Sequence, residues 1–242
     1  MHFPEQKCVF VHVPKTGGNF FTRCFLRFSG DSMVTSGHQD GADRFELSGD
    51  ATKTKHQTLA EYSELIGPGF SDYTAYAFAR PPVERMISLY YSPHRWMREQ
   101  EGGGFDLDAR NEPVDLKEFE ALVSSNKSIS DLLDAGNVSG RLEVNQTARH
   151  TSGARVSLLD FADLRGGLEK FGRENGFDLT DMPAKKVNSS SVNDPMALNA
   201  GQMDQINKIV MNSHHGKDQQ FFAKDTPKGF FETLSGWFRS KS

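Results

Sequence analysis

The sequence predicts an α/β fold of three layers, a central parallel sheet flanked by helices. Two stretches carry that reading. Residues 9–20 run Val-Phe-Val-His-Val-Pro-Lys-Thr-Gly-Gly-Asn-Phe, an apolar segment that breaks into a glycine loop. Residues 73–91 run Tyr-Thr-Ala-Tyr-Ala-Phe-Ala-Arg-Pro-Pro-Val-Glu-Arg-Met-Ile-Ser-Leu-Tyr-Tyr, an aromatic and small-apolar segment that ends on Arg80 and two prolines. In each, a continuously apolar run gives way to helical spacing, as a strand buried on both faces does when it feeds a crossover helix.

In the first stretch the apolar run suits a buried strand, and His12 within it reads as a core histidine with satisfied nitrogens. Gly17 and Gly18 let the backbone approach a ligand with no Cβ in the way. Phe20, Phe21, Cys24, Phe25 and Phe28 then recur at helix spacing, with Asn19 as a suitable N-cap and Gly30 as the stop. A strand, a tight glycine loop and a helix N-terminus make an anion site, because unpaired N–H groups and the helix dipole converge there. Lys15 adds a point charge, so residues 15–20 are expected to hold a phosphate-like group.

Farther on, Thr58 and Glu61 form a capping box, which puts His56 just ahead of a helix start. After the second strand, Pro81 and Pro82 suit a first helical turn, and Val83, Met86, Ile87, Tyr90 and Tyr91 make an apolar stripe. Arg85 reads as structural, an ion-pair partner of a nearby carboxylate. Gly102–Gly104 open a polar loop running to Pro113. Helices are expected over Asp115–Val123 and Ile129–Leu133. Residues 136–155, rich in Gly, Asn, Thr and Ser, read as loop; with the loop after Gly30 they are where acceptor contacts are expected. Val156–Asp160 ends on an acid as a Mg²⁺-binding strand would, but no Gly-Lys-Ser/Thr occurs anywhere in the chain, so it reads as a core strand. His94, His150, His214 and His215 show no metal-ligand spacing and read as surface residues.

The missing Gly-Lys-Ser/Thr also separates the first loop from nucleotide-triphosphatase P-loops: the architecture is P-loop-like, yet Lys15 precedes the glycine pair. Pro-Lys-Thr-Gly-Gly after an apolar strand instead resembles the 5′-phosphosulfate loop of sulfotransferases that use 3′-phosphoadenosine 5′-phosphosulfate. Arg80 to Tyr90 resembles their Arg-x-Pro-x-x-Arg-x-x-Ser-x-Tyr motif, and Lys55-His-Gln-Thr-Leu-Ala-Glu61 resembles the Lys-His-x-Thr-x-x-Glu segment of bacterial members. Looser matches follow at Val156–Leu164, Pro183–Ser190, a helix near 198–212 and Asp218–Phe222, so the resemblance spans roughly residues 7–222.

The resemblance implies the following roles. Lys15 and the N–H groups of Thr16, Gly17, Gly18, Asn19 and Phe20 would hold the 5′-phosphate, with the Thr16 hydroxyl as a further donor and Asn19 standing where the family often has Thr or Ser. Arg80 and Ser88 would clamp the 3′-phosphate, a task suited to the planar arginine fork. His56 would be the base, and Lys15 would stabilise charge in transfer. The donor would be 3′-phosphoadenosine 5′-phosphosulfate, leaving 3′-phosphoadenosine 5′-phosphate, with no metal required. The acceptor would be a carbohydrate, glycolipid or small metabolite hydroxyl. Rival readings are a P-loop-type kinase or hydrolase and a non-catalytic nucleotide-binding module.

Composition bounds the rest. The chain has 242 residues, long enough for one α/β domain; Lys plus Arg is 28 against 32 Asp plus Glu, a net charge of −4 that does not suggest a nucleic-acid binder. A single domain is expected over 1–225, with an amphipathic helix in 226–242 built on Phe230, Phe231, Leu234, Trp237 and Phe238. That helix would pack on the domain or a second subunit, or lie on a lipid surface. Cys8 and Cys24 read as reduced, buried thiols. With no signal peptide or 18-residue apolar run in the sequence, a soluble cytoplasmic protein is expected.

Overall fold

A computed structural model describes residues 1–36, 44–92, 98–99, 105–106, 114–180 and 198–222. The chain runs β1 (His2–Phe3), β2 (Cys8–Phe10), α1 (Gly18–Phe25), β3 (Asp31–Val34), β4 (Glu46–Gly49), α2 (Leu59–Ile66), β5 (Thr74–Ala79), α3 (Pro82–Tyr90), β6 (Arg98–Glu99), β7 (Phe105–Asp106), α4 (Leu116–Ser125), α5 (Ile129–Leu132), β8 (Val138–Ser139), β9 (Thr147–His150), β10 (Arg155–Asp160), α6 (Leu164–Asn175) and α7 (Ala200–Asn212). The main sheet has the order β1-β2-β5-β10-β9-β8. Its centre is parallel: Phe10 lies opposite Tyr76, and Arg155 to Asp160 lie opposite Thr74 to Ala79. Both edges are antiparallel, β1 against β2 and β9 against β10 and β8.

The two-residue period of a strand sorts side chains onto two faces. On one, Val9, Val11, Val13, Ala75, Ala77, Ala79, Val156 and Leu158 meet Leu59 and Tyr62 of α2 and Ile129 and Leu132 of α5. On the other, Phe10, Tyr76, Phe78 and Leu159 meet Phe20, Phe21 and Phe25 of α1 and Leu164, Leu168 and Phe171 of α6. Small alanines on one face of β5 and large aromatics on the other set how closely each helix layer approaches. The aromatic face is tied together by Phe171, whose ring lies 4.8–5.5 Å from those of Phe3, Phe21, Phe25, Tyr76 and Phe177.

A further cluster joins α3, α4 and α7 through Val83, Met86, Ile87, Tyr90, Phe119, Val123, Ile206 and Val210. Arg85 lies fully buried beneath it. Its Nη2 donates to Lys127 O at 3.1 Å and to His215 Nδ1 at 2.8 Å. His215 Nε2–H in turn donates to Val123 O at 2.9 Å, which fixes the neutral tautomer. Burial, then the Arg85 cation and His214, push the His215 pKa down to about 4. Asp218 caps the start of α5, accepting from Ile129 N and Ser130 N.

Several sequence expectations are corrected. Helix α1 begins at Gly18 with Gly17 as its N-cap, so Asn19 is inside the helix; a 3₁₀ turn over Leu26–Phe28 follows Phe25 before Gly30. Residues 136–155 are not simply loop: β8 and β9 close one edge of the sheet, because the exposed side of β10 needs partners for its backbone. Part of the expected 102–113 loop is β7, which pairs antiparallel with β6. His150 and His215 are buried rather than on the surface: His150 bonds Ser152 and Asp134, and His215 bonds Arg85. Arg85 is structural as expected, but its direct partners are a carbonyl and an imidazole; Asp218 and Asp131 act on it through space. Cys8 and Cys24 are both buried free thiols, and burial pushes their pKa values up to about 12 and about 11. His94, the Pro183–Ser190 segment and the 226–242 helix lie outside the described residues. No helix among the described residues is long and apolar enough to cross a membrane.

Phe171→Ala should cost about 3–5 kcal/mol in urea unfolding, the usual range for removing a fully buried aromatic. The His215 site gives a pH dependence of known sign. Its folded pKa of about 4 lies below the ordinary 6.5, so the unfolded chain binds more protons between those values and stability falls as pH drops from 6.5 toward 4. His215→Gln should flatten that slope; parallel slopes for variant and wild type would refute the assignment.

Candidate active site

The parallel pairing of β2, β5 and β10 sets the carboxyl ends of three strands side by side, where open α/β sheets bind their ligands. Past β2 the chain continues extended, with Val11 N donating to Tyr76 O at 2.8 Å, then turns through Pro14 to Gly18 into α1. Lys15 and Gly17 both take positive φ, +67° and +88°. A lysine held there is uncommon and locally strained. Gly17 suits its place because a Cβ on it would also meet Leu164 at 2.8 Å. Gly18 must lack a side chain for a different reason: its Cβ would sit 2.3 Å from both Cε1 and Nε2 of His12. No side chain caps α1, and Phe20 N and Phe21 N both donate to Gly17 O, at 3.0 and 3.1 Å, as the helix begins.

From this cradle Lys15 reaches across, Nζ donating to Ser92 Oγ at 3.4 Å, just beyond the end of α3. Arg80, at the end of β5, reaches back: its Nη1 donates to Lys15 O at 3.4 Å. The Arg80 guanidinium lies 4.7 Å above the Phe161 ring and 3.5 Å from Glu84. Its Nε has no hydrogen-bond partner among the described residues. Burial lowers its pKa, with Glu84 opposing, and an arginine so placed remains a cation. Ser88 is one turn beyond Glu84, so Glu84 and Ser88 share one side of α3, while Arg80 lies two residues before the helix begins.

The third element comes from the segment before α2. Thr58 and Glu61 form the capping box, with Glu61 N donating to Thr58 Oγ1 at 3.2 Å and Thr58 N to Glu61 Oε2 at 2.6 Å. Gln57 fixes the turn before it, accepting from Lys53 N and donating to Ala51 O. His56 is thereby held against the first loop: Nδ1 donates to His12 O at 2.7 Å, and the two imidazoles meet edge to face at 5.0 Å. A carbonyl partner requires the proton on Nδ1, so Nε2 carries the lone pair. Desolvation by its surroundings, then the Lys55 and Arg85 cations, keep the His56 pKa below its ordinary value, although the residue retains an exposed side. Neutral His56 is therefore the prevailing form at pH 7.

Lys15, Gly17, Gly18, Arg80 and His56 are thus linked by contacts across β2, β5 and the pre-α2 turn. Asn19 and Phe20 follow in the first turn of α1. Thr16 is a correction: it is fully buried and its hydroxyl donates to Val13 O at 3.0 Å, so it braces the loop instead of offering a donor to a ligand. His12 is a second correction, since neither ring nitrogen has a hydrogen-bond partner among the described residues. Ser92, Glu84 and Phe161 escaped sequence reading. The four-residue step from Arg80 to Glu84 could have been noticed; Phe161 arrives from β10 and needs the sheet. Among the described residues no three His, Cys, Asp or Glu side chains are grouped as metal ligands would be.

Comparison with known proteins adds one finding. The family model described as the Sulfotransferase family matches residues 1–134, which contain the glycine loop, the His56 turn and the Arg80 helix. Searches of curated proteins and of solved structures return no match. The matched region covers more than half of the 242 residues, and the chain belongs to the Sulfotransferase family.

Proposed function

We propose that the protein transfers a sulfuryl group from 3′-phosphoadenosine 5′-phosphosulfate to an acceptor hydroxyl on a carbohydrate, glycolipid or small metabolite. The observation that carries this reading is the hydrogen bond from Arg80 to the Lys15 carbonyl. It joins the Arg80 guanidinium to the main chain of the loop that carries Lys15, which supports a reading in which the two cations serve opposite ends of one nucleotide. The donor's two phosphates fit that layout: the 5′-phosphosulfate in the uncapped N-terminus of α1 beside Lys15, the 3′-phosphate at Arg80 and Ser88.

Transfer would proceed by in-line displacement. The S–O bond to the bridging oxygen breaks as the acceptor oxygen bonds to sulfur, and the 5′-phosphate leaves with the electron pair. Lys15 and the α1 N–H groups offset the charge that grows on the bridging and phosphate oxygens. His56 Nε2 takes the acceptor's proton, while Nδ1–H stays on His12 O and orients the ring. Most of the rate then comes from positioning and fixed dipoles. A kinase or hydrolase would need the missing Gly-Lys-Ser/Thr. The Nδ1–H of His56 held on the His12 carbonyl, which leaves Nε2 as a base, supports catalysis over a non-catalytic nucleotide binder.

Lys15→Ala should lower turnover by on the order of a hundredfold or more, the usual loss when a well-placed donor is removed; wild-type turnover would contradict its role. His56→Ala should depress turnover yet keep nucleotide affinity, and the wild-type kcat/KM should fall on the acid side at a pH below the ordinary histidine value of 6.5. Equal loss of binding and turnover would make His56 structural. Gly18→Ala, which drives a methyl into the His12 ring, should lower both thermal stability and nucleotide affinity.

A further inference from the structure

Arg85 is among the largest side chains that are fully buried, and it comes from the underside of α3. The same helix carries Ser88 and follows closely on Arg80, the two residues assigned to the 3′-phosphate. Glu84 and Ser88 are part-exposed, while Val83, Arg85, Met86, Ile87 and Tyr90 are buried. The apolar members of that buried side pack on α4 and α7. Apolar contact is non-directional, so it holds the helix down without fixing its rotation. The guanidinium supplies the direction. Its Nη2 has two acceptors, Lys127 O and His215 Nδ1, while Nε and Nη1 have none among the described residues.

His215 comes 130 residues later, from a 3₁₀ segment over His214–Phe221 that follows α7. This segment is pinned independently of Arg85. His215 N donates to Ser213 Oγ at 3.1 Å, and His215 Nε2 donates to Val123 O of α4 at 2.9 Å. Asp218 accepts from Ile129 N at 2.8 Å, from Ser130 N at 2.9 Å and from the Ser130 hydroxyl at 2.8 Å, at the start of α5. Phe221 is buried in the core on the α2 side of the sheet, and its carbonyl accepts from Val144 N at 2.8 Å. The imidazole is thus a fixed post to which the buried cation is tied. Arg85 has no exposed surface, so Nη2 has no solvent to turn to if the imidazole is removed. Arg85 and Arg80 are near enough to repel each other, and Asp218 and Asp131 offset the Arg85 charge.

We propose that His215 is a positioning residue for the 3′-phosphate end of the donor site: through Arg85 it sets the rotation of α3, and with it the placement of Ser88 relative to Arg80. This rests on the sulfotransferase reading above and extends the donor site to a segment that itself touches no nucleotide. The 5′ end is held by other means, the pairing of β2 with β5 and the packing of Phe20 and Phe21 on the sheet. The tie therefore acts on one end of the nucleotide and not the other.

Calorimetric titration of the full chain with 3′-phosphoadenosine 5′-phosphate and with adenosine 5′-phosphate, which lacks the 3′ group, tests this. His215→Leu fills most of the same space and removes the acceptor. It should bind the bisphosphate roughly tenfold more weakly, an ordinary size for coupling between sites, and adenosine 5′-phosphate within about twofold of wild type. His215→Gln, whose side-chain carbonyl can accept from Arg85, should recover most of the loss. A leucine variant that binds the bisphosphate as wild type does would overturn the inference. So would equal weakening toward both ligands, which would make His215 a support for the fold alone. Coupling is reciprocal, so the wild type supplies a test that needs no variant to fold. The bisphosphate at saturation should slow hydrogen exchange at the amides of residues 213–218 more than adenosine 5′-phosphate does; equal exchange under both would overturn the inference. Failure of the wild type to prefer the bisphosphate over adenosine 5′-phosphate would instead overturn the donor assignment itself.

Discussion

The parallel pairing of β2 with β5 is the constraint on which the rest of the site depends. With Phe10 opposite Tyr76 and Val11 bonded to the Tyr76 carbonyl, the two strands end together and their outgoing segments must share one crevice. Because strand side chains alternate, a slip of one residue would turn His12 to the opposite face and point Val11 or Val13 at Gly18 instead. The register is protected by the contrast between the faces of β5. Alanines meet one helix layer and Tyr76 and Phe78 the other, and neither set fits in the other's place.

On that frame the loop combines features that each oppose stability. Lys15 is held at positive φ, α1 lacks a side-chain cap, and the His12 ring nitrogens are buried with no hydrogen-bond partner among the described residues. Such features persist when the surrounding structure over-determines them, and here the aromatic layer around Phe171 and the capped α2 do so. Under the proposed function, an anion at the start of α1 would offset part of this cost. The cradle is thus expected to be the part of the molecule that gains most from its ligand, while the buried Arg85–His215 joint holds the α3, α4 and α7 cluster without one.

Much of this could be read from the sequence. Both central strands, the glycine loop, the Pro82 start of α3 and the Thr58–Glu61 capping box are local patterns, and local patterns survive into the fold. The failures are equally physical. Asn19 is a good capping residue in isolation, but Gly17 in the left-handed region begins the helix two positions earlier. Thr16 offers a hydroxyl on paper and spends it on Val13. His12 reads as an ordinary core residue because sequence shows burial more readily than satisfaction. Phe161 under Arg80 and Ser92 beside Lys15 are brought in by the crossovers between strands, which one-dimensional spacing does not encode.

Two separate cationic ends for one nucleotide is the central claim, and exchanging the phosphates against the cations tests it most directly. Affinities of wild type, Lys15→Ala and Arg80→Ala for adenosine 5′-phosphate, adenosine 3′-phosphate and 3′-phosphoadenosine 5′-phosphate form a complete cycle. The account predicts that Arg80→Ala sharply reduces the advantage conferred by the 3′-phosphate and Lys15→Ala that conferred by the 5′-phosphate, each leaving the other intact. Loss of both advantages from either substitution, or no advantage from the 3′-phosphate in the wild type, would contradict it.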